Sequence, residues 1–134
     1  MNGAAGNFAA SARFLSSNAF KRVQEIDSIG TFNMSREVFN QSMKEQRDGV
    51  IINVGASTHW SGTAMFSHSS AGKAGVEALT KVLATEWGPH GVRVVSVIPG
   101  IVTGTEGMAR LSNFENTNNR ERTNSAAEKG GTQA

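Results

Sequence analysis

The run Val50-Ile51-Ile52-Asn53-Val54 is a short, almost wholly apolar stretch rich in β-branched residues. Such a run is typical of a β-strand that is covered on both faces, as strands are in parallel sheets. A turn at Asp48-Gly49 precedes it, and a loop rich in Ser, Thr and Gly follows it from Gly55 to Ser67. This strand therefore predicts a parallel sheet and decides the fold class.

Helical patterns flank this strand on both sides. From a capping residue at Ser17, apolar residues recur at three- and four-residue steps, which predicts an amphipathic helix to about Gln46. Gly30 inside this helix suggests close packing against a neighbour. A second helix is predicted before the stop signal Gly88-Pro89. Its apolar positions are Val76, Leu79, Leu83 and Trp87.

A second β-rich stretch, Val92 to Ile98, ends at Pro99-Gly100. The order is therefore helix, strand, helix, strand with short connections, which is typical of half of a doubly wound α/β fold. The small residues from Met1 to Gly6 are interpreted as a strand end or turn. Residues 1–112 are expected to form this partial Rossmann-like domain. Residues 113–134 are polar and are expected to be a mobile tail or lid, because they have almost no apolar surface to bury.

Composition excludes several classes of function. The 134 residues suit one domain or a piece of one, and the absence of cysteine rules out disulfides and cysteine-rich zinc sites. No metal site is predicted. The formal charge of +2 comes from scattered residues, so no nucleic-acid partner is expected. No apolar run approaches the roughly 18 residues of a membrane span.

In sheets of this kind, ligands bind at the carboxyl ends of the strands. The segment Asn2-Gly3-Ala4-Ala5-Gly6-Asn7 could bring its backbone close to a ligand there, although a simple tight turn explains it equally well. Ser69 and Lys73 are four residues apart at the start of the second helix, so they share one face. Lys73 could point towards a nucleotide, and the alternative is a solvated helix lysine.

A hydroxyl-rich loop follows the second strand. Pro99, Gly100, Thr103 and Thr105 lie in it and could hold an amide or a phosphate group. The pattern by itself is weak, because many surface loops are rich in threonine and glycine. We therefore treat this loop as a candidate for cofactor binding only in combination with the other motifs.

Three motifs occur together: Asn2-Gly-Ala-Ala-Gly6, Ser69-Ser-Ala-Gly-Lys73-Ala-Gly-Val and Val97-Ile-Pro-Gly100. In their order and spacing, residues 1–112 resemble the short-chain dehydrogenases/reductases. The resemblance is greatest to 2,4-dienoyl-CoA reductases, notably the peroxisomal kind. It is carried by Ala4-Ala-Gly-Asn-Phe8, Leu83-Ala-Thr-Glu-Trp-Gly88 and Gly104-Thr-Glu-Gly107.

The chain departs from the wider family in having no tyrosine. Most members use a tyrosine four residues before the lysine, assisted by a serine on the preceding strand. Here those positions resemble Ser69 and Ala56. Ordinary ketone and alcohol chemistry would lose its proton donor, whereas dienoyl-CoA reductases resemble this chain in lacking that tyrosine.

The resemblance implies an oxidoreductase of unsaturated fatty acid β-oxidation. NADPH would deliver hydride to the far end of a 2,4-dienoyl thioester, and protonation would give a 3-enoyl-CoA. Asn7 matches the family asparagine that contacts the thioester oxygen, where negative charge develops. Lys73 would hold the nicotinamide ribose, with Ser69 beside it as a polar contact. Asn2, Gly3 and Ala4 would contribute to cofactor binding.

The resemblance leaves the proton donor open. Peroxisomal relatives carry an acid where Asp27 stands, so Asp27 or a water held by it is the preferred acid. His59 is the rival, because histidine titrates near neutrality. The alternatives are an ordinary surface carboxylate for Asp27 and a partly exposed loop histidine without a role for His59.

Some family features are missing from the sequence. It has no glycine-rich turn for the pyrophosphate and no segment that would select NADP over NAD, so NADPH follows from resemblance alone. We therefore expect the central and C-terminal part of the domain, without its first βαβ units. The alternatives are a non-catalytic fragment or pseudo-enzyme, and another short-chain reductase acting on an enoyl or carbonyl substrate. A homo-oligomer formed through helix 18–46 is expected, and a peroxisomal location is suggested by the resemblance only.

Overall fold

The computed structural model describes residues 1–100, 102 and 104–106. The chain divides into two compact units, Met1–Gly100 and Ile101–Ala134. Both strands and all the helices discussed below belong to the first unit. The predicted boundary near residue 112 and the polar tail lie outside the described residues, as does Thr103.

The predicted order of helix, strand, helix and strand is confirmed. A long first helix spans residues 17–46 and includes two π-helical segments, and a strand, a short helix, a second long helix and another strand follow it. The bounds are α1 Ser17–Gln24, π1 Glu25–Ile29, α2 Gly30–Val38, π2 Phe39–Met43, α3 Lys44–Gln46, β1 Gly49–Val54, α4 Thr58–Ser61, α5 Ser67–Trp87, a 3₁₀ turn Gly88–His90 and β2 Val92–Val97.

The first long helix begins and ends with identifiable signals. The Ser16 hydroxyl accepts a hydrogen bond from the Ala19 N–H, so the cap lies one residue before the predicted Ser17. Arg47 ends the helix in the left-handed conformation, with φ of 52°. The π segments were not predicted, because the apolar spacing of the sequence fits an ordinary α-helix. Such segments are frequent at functional sites, and π1 contains Asp27.

The two strands pair in parallel, with Gly49 opposite Val92 and Val54 opposite Val97. Asn2 forms an isolated parallel bridge on the other side of β1, because its N–H donates to the Ile52 carbonyl and its own carbonyl accepts from the Val54 N–H. The strand end predicted at Met1-Asn2 is thereby confirmed. The first loop and the loops after β1 and β2 consequently begin at the same edge of the sheet.

The core lies between the helices and one face of the sheet. Phe39 stacks on Trp87 with ring centroids 4.2 Å apart, and both belong to the buried cluster. Each buried aromatic side chain contributes a large apolar area to this cluster. The cluster residues are Phe39, Ile51, Leu83, Trp87, Val92 and Val94, with Met43 and Ala84 packed against them.

The opposite face of the sheet is open within this chain. Val50, Val95 and Val97 on it are 41%, 44% and 53% exposed. The expectation of a strand covered on both faces is therefore wrong for the described residues. The reason is that side chains alternate between faces along a strand, and the helices that form the core pack against only the face that carries Ile51 and Val94.

Glycines of α5, rather than Gly30, allow the two long helices to approach closely. A Cβ atom on Gly72 would lie 2.9 Å from Cβ of Asp27, and one on Gly75 would lie 2.5 Å from Oγ of Ser28. At Gly30 the nearest atom is its own helix's Glu25 carbonyl, at 3.4 Å. The close packing predicted at Gly30 is therefore wrong, because this position does not face a neighbouring element.

No helix in the described part of the chain is long and apolar enough to cross a membrane.

Two glycines with positive φ provide a matched test of backbone packing. Gly62 and Gly91 have φ of 63° and 77°, and a Cβ atom would meet nothing within 4 Å at Gly62 but would collide with the Arg47 carbonyl at Gly91. We expect Gly62→Ala to lower the free energy of unfolding by about 1 kcal/mol, through backbone strain alone. Gly91→Ala adds the collision and should cost about 3 kcal/mol or more. Urea unfolding followed by circular dichroism measures both, and equal losses would contradict the proposed contact.

Candidate active site

A chain of buried side-chain hydrogen bonds fixes the start of the site. The Asn2 amide donates to Oγ of Ser35 and to Oδ1 of Asn53, each at 2.9 Å. The Asn53 amide in turn donates to Oγ1 of Thr80 at 2.9 Å, and that hydroxyl donates to the Val76 carbonyl. The chain ties the first residues to β1 and to both long helices, and most of the polar groups of Asn2 are used in it. A cofactor contact by Asn2 stays a prediction.

Asp27 is completely buried, at 0% exposure. Its Oδ1 accepts a hydrogen bond from the Gly6 N–H at 3.0 Å, whereas Oδ2 has no hydrogen-bond partner. Gly72 makes room for this carboxyl group, because any larger residue there would collide with it. The alternative that Asp27 is an ordinary surface carboxylate is therefore wrong.

Burial dominates the protonation of this carboxyl. Desolvation raises the pKa of Asp27, although the Gly6 hydrogen bond, the Lys73 charge and the His68 charge all act to lower it. The Lys73 ammonium lies 4.0 Å from Oδ2, at the outer limit of an ion pair. This contact is too long for a hydrogen bond, so it offsets only part of the desolvation cost.

Lys73 is also buried, at 8% exposure. Its Nζ donates to the Val54 carbonyl at 3.0 Å, directly at the carboxyl end of β1. An ammonium group has three donors, so two remain for a ligand, for Asp27 or for water. The alternative of a solvated helix lysine is therefore wrong, and the Lys73 ammonium group lies at the carboxyl end of β1.

Of the other predicted catalytic residues, Asn7 and Ser69 lie near this pair, because Asn7 follows Gly6 and Ser69 is one helical turn before Lys73. Asn7 follows Gly6, whose N–H binds Asp27, and Asn7 is exposed at the carboxyl edge of the sheet. Ser69 is buried on the first turn of α5, where its hydroxyl donates to the Phe66 carbonyl at 3.3 Å. Ala56 is half-buried just beyond β1. The structure thus brings Asp27 and Lys73 together and leaves Asn7 exposed.

His68 was missed by the sequence analysis. It is 0% exposed, both of its ring nitrogens lack hydrogen-bond partners, and its ring stacks on Phe8 with centroids 4.2 Å apart. Its carbonyl accepts a hydrogen bond from the Gln24 amide at 2.7 Å. The available signal was helical spacing, because His68 lies one turn before Gly72 on the face that packs against the first helix.

His59, the rival acid, belongs to a separate cluster. Its Nε2 lies 2.7 Å from Oε2 of Glu77, which also pairs with Lys81 at 2.9 Å. Hydrogen bonding to Lys81 is the largest cause that lowers the pKa of Glu77. His59 lies in the short helix α4 rather than in a loop, and its side chain is 13% exposed.

A cavity of about 440 Å³ adjoins His59. It lies between the loop after β1 and the first turns of α5, and most of its walls are small side chains. Three buried polar atoms without a hydrogen-bond partner, Oγ1 of Thr58, Nδ1 of His59 and Oγ of Ser70, come from lining residues. The lining residues are Ala12, Thr58, His59, Gly62, Thr63, Ala64, Met65, Ser67, Ser70, Ala71 and Ala74.

The predicted cofactor loops are open to solvent. Gly3 and Ala4 are exposed beside the end of β1, and Pro99 and Gly100 are exposed just after β2. Thr105 belongs to the second unit, where its hydroxyl donates to the Val102 carbonyl at 3.4 Å. Among the described residues, no group of three or more His, Asp or Glu side chains is placed to hold a metal ion.

Comparison with known proteins places this geometry in a family. Rat peroxisomal 2,4-dienoyl-CoA reductase is 47% identical over 111 residues, which cover 83% of this chain and 38% of the rat protein. The zebrafish (Danio rerio) protein of the same name is 48% identical, over 83% of this chain and 37% of the relative. A probable 2,4-dienoyl-CoA reductase of Bacillus subtilis is 40% identical, over 86% and 46% of the two chains. The chain therefore spans less than half the length of these curated relatives.

Solved structures agree with this placement. A short-chain dehydrogenase from Bacillus anthracis superposes with a TM-score of 0.70 at 42% identity, covering 74% of this chain and 42% of that one. A 4-hydroxyisoleucine dehydrogenase complexed with NADH gives 0.74 at 29% identity, covering 80% and 47%. The predicted Rossmann-like α/β fold is thereby confirmed. The family model described as short chain dehydrogenase matches residues 1–116, and the chain belongs to that family.

Proposed function

We propose that this chain carries the catalytic segment of an NADPH-dependent reductase that converts 2,4-dienoyl-CoA to 3-enoyl-CoA. The observation that carries this proposal is a buried acid, Asp27, beside Lys73 in a chain that has no tyrosine. A family member without tyrosine needs another source of protons. A carboxyl group whose pKa is raised by burial is suited to that role, because it retains its proton closer to neutral pH.

The substrate class is supported by the relatives. The rat and zebrafish proteins, at 47% and 48% identity, are both named peroxisomal 2,4-dienoyl-CoA reductases that produce a (3E)-enoyl-CoA. The absence of tyrosine is consistent with reduction of a conjugated carbon system, in which a ketone oxygen need not be protonated. The names of these relatives also support a peroxisomal location, which we include in the proposal.

The residues of the chain fit the nicotinamide end of a dinucleotide. Lys73 has N–H donors left for ribose hydroxyls beyond its bond to the Val54 carbonyl. The exposed backbone of Gly3 and of Pro99-Gly100 leaves room for a carboxamide, because a Cβ atom on Gly100 would meet nothing within 4 Å. NADPH, when bound, would supply a hydride ion. The glycine-rich turn that holds the pyrophosphate in this family does not occur in the sequence.

The remaining steps fall to side chains of this site. Asn7 is exposed where a thioester can reach it, and its amide would donate a hydrogen bond to the oxygen on which negative charge develops. Lys73 adds positive potential nearby, and Ser69 supports the first turn of α5. Asp27 is covered by the Gly6 backbone, so we propose that it acts through a water and does not touch the substrate directly.

The first test is NADPH oxidation, followed at its absorbance band, with a 2,4-dienoyl-CoA as substrate. It is run on the 134-residue chain and, in parallel, on a chain extended by the upstream coding sequence. We expect turnover in the extended chain, because the pyrophosphate turn is absent from the shorter sequence. A saturated acyl-CoA and a simple ketone serve as control substrates.

Other outcomes point to the competing functions. Turnover with the ketone but not with the dienoyl-CoA would favour a different short-chain reductase. No turnover and no saturable NADPH binding in either chain would favour a non-catalytic relative. One observation favours the non-catalytic alternative, namely that the chain spans only 38% of the length of the rat relative.

Asp27→Asn tests the proposed acid directly, in whichever of the two chains turns over the dienoyl-CoA. Asparagine keeps the shape but cannot donate a proton, so we expect kcat to fall about 100-fold. In the unmodified protein, kcat should decline as pH rises through the raised pKa of Asp27, because the acid must be protonated. The variant should lose this decline.

His59→Gln is the matched control and should keep turnover and pH profile, since His59 pairs with Glu77 instead. A large loss of turnover in His59→Gln together with normal turnover in Asp27→Asn would assign the role of the acid to His59 instead.

The same substitution makes a prediction for stability. Burial raises the pKa of Asp27 in the folded state above its unfolded value. Its stability contribution is then fully present below the unfolded pKa and is lost as pH rises through the folded pKa. Asp27→Asn should therefore unfold at higher urea concentration than the unmodified chain at neutral pH, and the difference should shrink towards acid pH. A constant difference across pH would contradict burial of the carboxyl group.

We also propose that the chain self-associates through the first long helix. Ile29, Phe32 and Met34 on it are 50%, 36% and 58% exposed, which is unusual for large apolar residues of a soluble surface. Phe32→Glu should shift the chain to a lower mass in light scattering after size-exclusion chromatography. Phe14→Glu is the control, because Phe14 is 79% exposed and lies outside the helix. An unchanged mass in Phe32→Glu, or the same change in both variants, would contradict this interface.

A further inference from the structure

His68 is a buried titratable group that the proposed chemistry does not use. It is fully enclosed, and neither of its ring nitrogens has a hydrogen-bond partner among the described residues. A buried polar nitrogen left unpaired costs roughly 1–3 kcal/mol. The stack on Phe8 satisfies the ring faces but not the nitrogens, which lie at the ring edge. The ring nitrogens of His68 therefore need a polar partner that none of the described residues provides.

The nearest group with the same need is Asp27. Its carboxyl lies against Gly72, since a Cβ atom there would be 3.0 Å from Oδ2. His68 is one helical turn before Gly72, so their side-chain positions are about 5–6 Å apart on the same face of α5. Oδ2 of Asp27 also lacks a hydrogen-bond partner. Two unpaired groups thus lie on the side of α5 that packs against the first long helix, near enough for the His68 charge to act on Asp27.

One water molecule would give Oδ2 of Asp27 and one ring nitrogen of His68 a hydrogen-bond partner. A buried water typically makes about three hydrogen bonds. Here the partners would be Oδ2 of Asp27, a ring nitrogen of His68 and Nζ of Lys73, which is 4.0 Å from Oδ2 and has donors to spare. A gap of that length is typical of a water-bridged contact. The charged and titratable groups that face Asp27 are His68 and Lys73, both from α5.

We propose that a bound water joins His68 to Asp27, and that His68 is a positioning residue that restores the proton of Asp27 after each turnover. The turnover part rests on the proposed function. Asp27 loses its proton when the substrate carbon is protonated, and the carboxylate that remains takes a proton through the water from the ring N–H of His68. The other ring nitrogen of His68 takes up one proton from the solvent in each turnover, which balances the proton delivered to the substrate, so no oxidant or reductant is needed.

The water bridge is tested by NMR on the 134-residue chain, independently of turnover. The chain has only three histidines, so His59→Gln, His68→Phe and His90→Gln assign every imidazole signal. In the unmodified chain we expect a cross-peak between the His68 ring N–H and a long-lived internal water. His68→Phe keeps the stack on Phe8 but removes both nitrogens, and it should raise the titration midpoint of the Asp27 carboxyl carbon. His90→Gln, at a histidine that contacts Phe39, should leave that midpoint unchanged.

The opposite NMR result overturns the proposal. Absence of the water cross-peak, or an Asp27 midpoint that is the same in His68→Phe and the unmodified chain, would show that the two groups are not joined. The cross-peak needs no variant, so poor folding of His68→Phe would not leave the bridge undecided. If the unmodified protein has no reductase activity, the proposed function is wrong. The water bridge is still tested separately by these spectra.

Kinetics in the active form separate proton supply from packing. His68→Phe should lower kcat about tenfold or more with KM unchanged, because the residue does not touch substrate. His68→Gln removes both the stack on Phe8 and the imidazole ring, so its kcat should be at least as low as that of His68→Phe. Wild-type turnover in His68→Phe together with a loss in His68→Gln would assign His68 to packing alone and overturn its role in proton supply.

Discussion

The approach of the first long helix to α5 at Gly72 is the contact on which the site depends. A Cβ atom there would lie 2.9 Å from Cβ of Asp27, so any other residue would push the helices apart or expel the carboxyl group. The same approach aligns Ser28 with the Gly72 carbonyl through a hydrogen bond of 2.9 Å. The π-helical segment Glu25–Ile29 presents Asp27 to this contact. Backbone geometry and a missing side chain together create the buried acid.

Buried polar groups in this chain divide into two kinds. The side-chain polar atoms of Asn53 and Thr80 all have hydrogen-bond partners within the protein, and they join β1 to the helices as part of the fold. Asp27 and His68 are equally buried but keep unpaired atoms, which lowers stability. Groups held in such unfavourable surroundings are concentrated at functional sites, because function maintains what stability alone would remove. The contrast explains why we assign chemistry to Asp27 and His68 and not to Asn53 and Thr80.

The two faces of the sheet also have different roles. Ile51 and Val94 pack beneath Leu83, Phe39 and Trp87, and this cluster holds the strand ends at a common edge. Val50, Val95 and Val97, which alternate with them, are exposed. Lys73 reaches that edge through its bond to the Val54 carbonyl, and Asn7 reaches it through the segment that Asn2 anchors to β1. The site is thus assembled by one helical layer and the carboxyl ends of parallel strands.

The sequence by itself determined the order of the elements, their approximate ends and the family. Local signals carried these predictions: the β-branched run at Val50, the stop at Gly88-Pro89 and the three spaced motifs. It also selected Asp27 and Lys73, through resemblance and position. It could not show that Asp27 is buried. The π-helical segment Glu25–Ile29 changes which residues of the first long helix face α5, and the spacing of the apolar residues does not reveal this segment. Tertiary structure alone decided that Gly72 and not Gly30 is the close contact, that His59 pairs with Glu77, and that His68 is buried with unpaired ring nitrogens, since each depends on residues far apart along the chain.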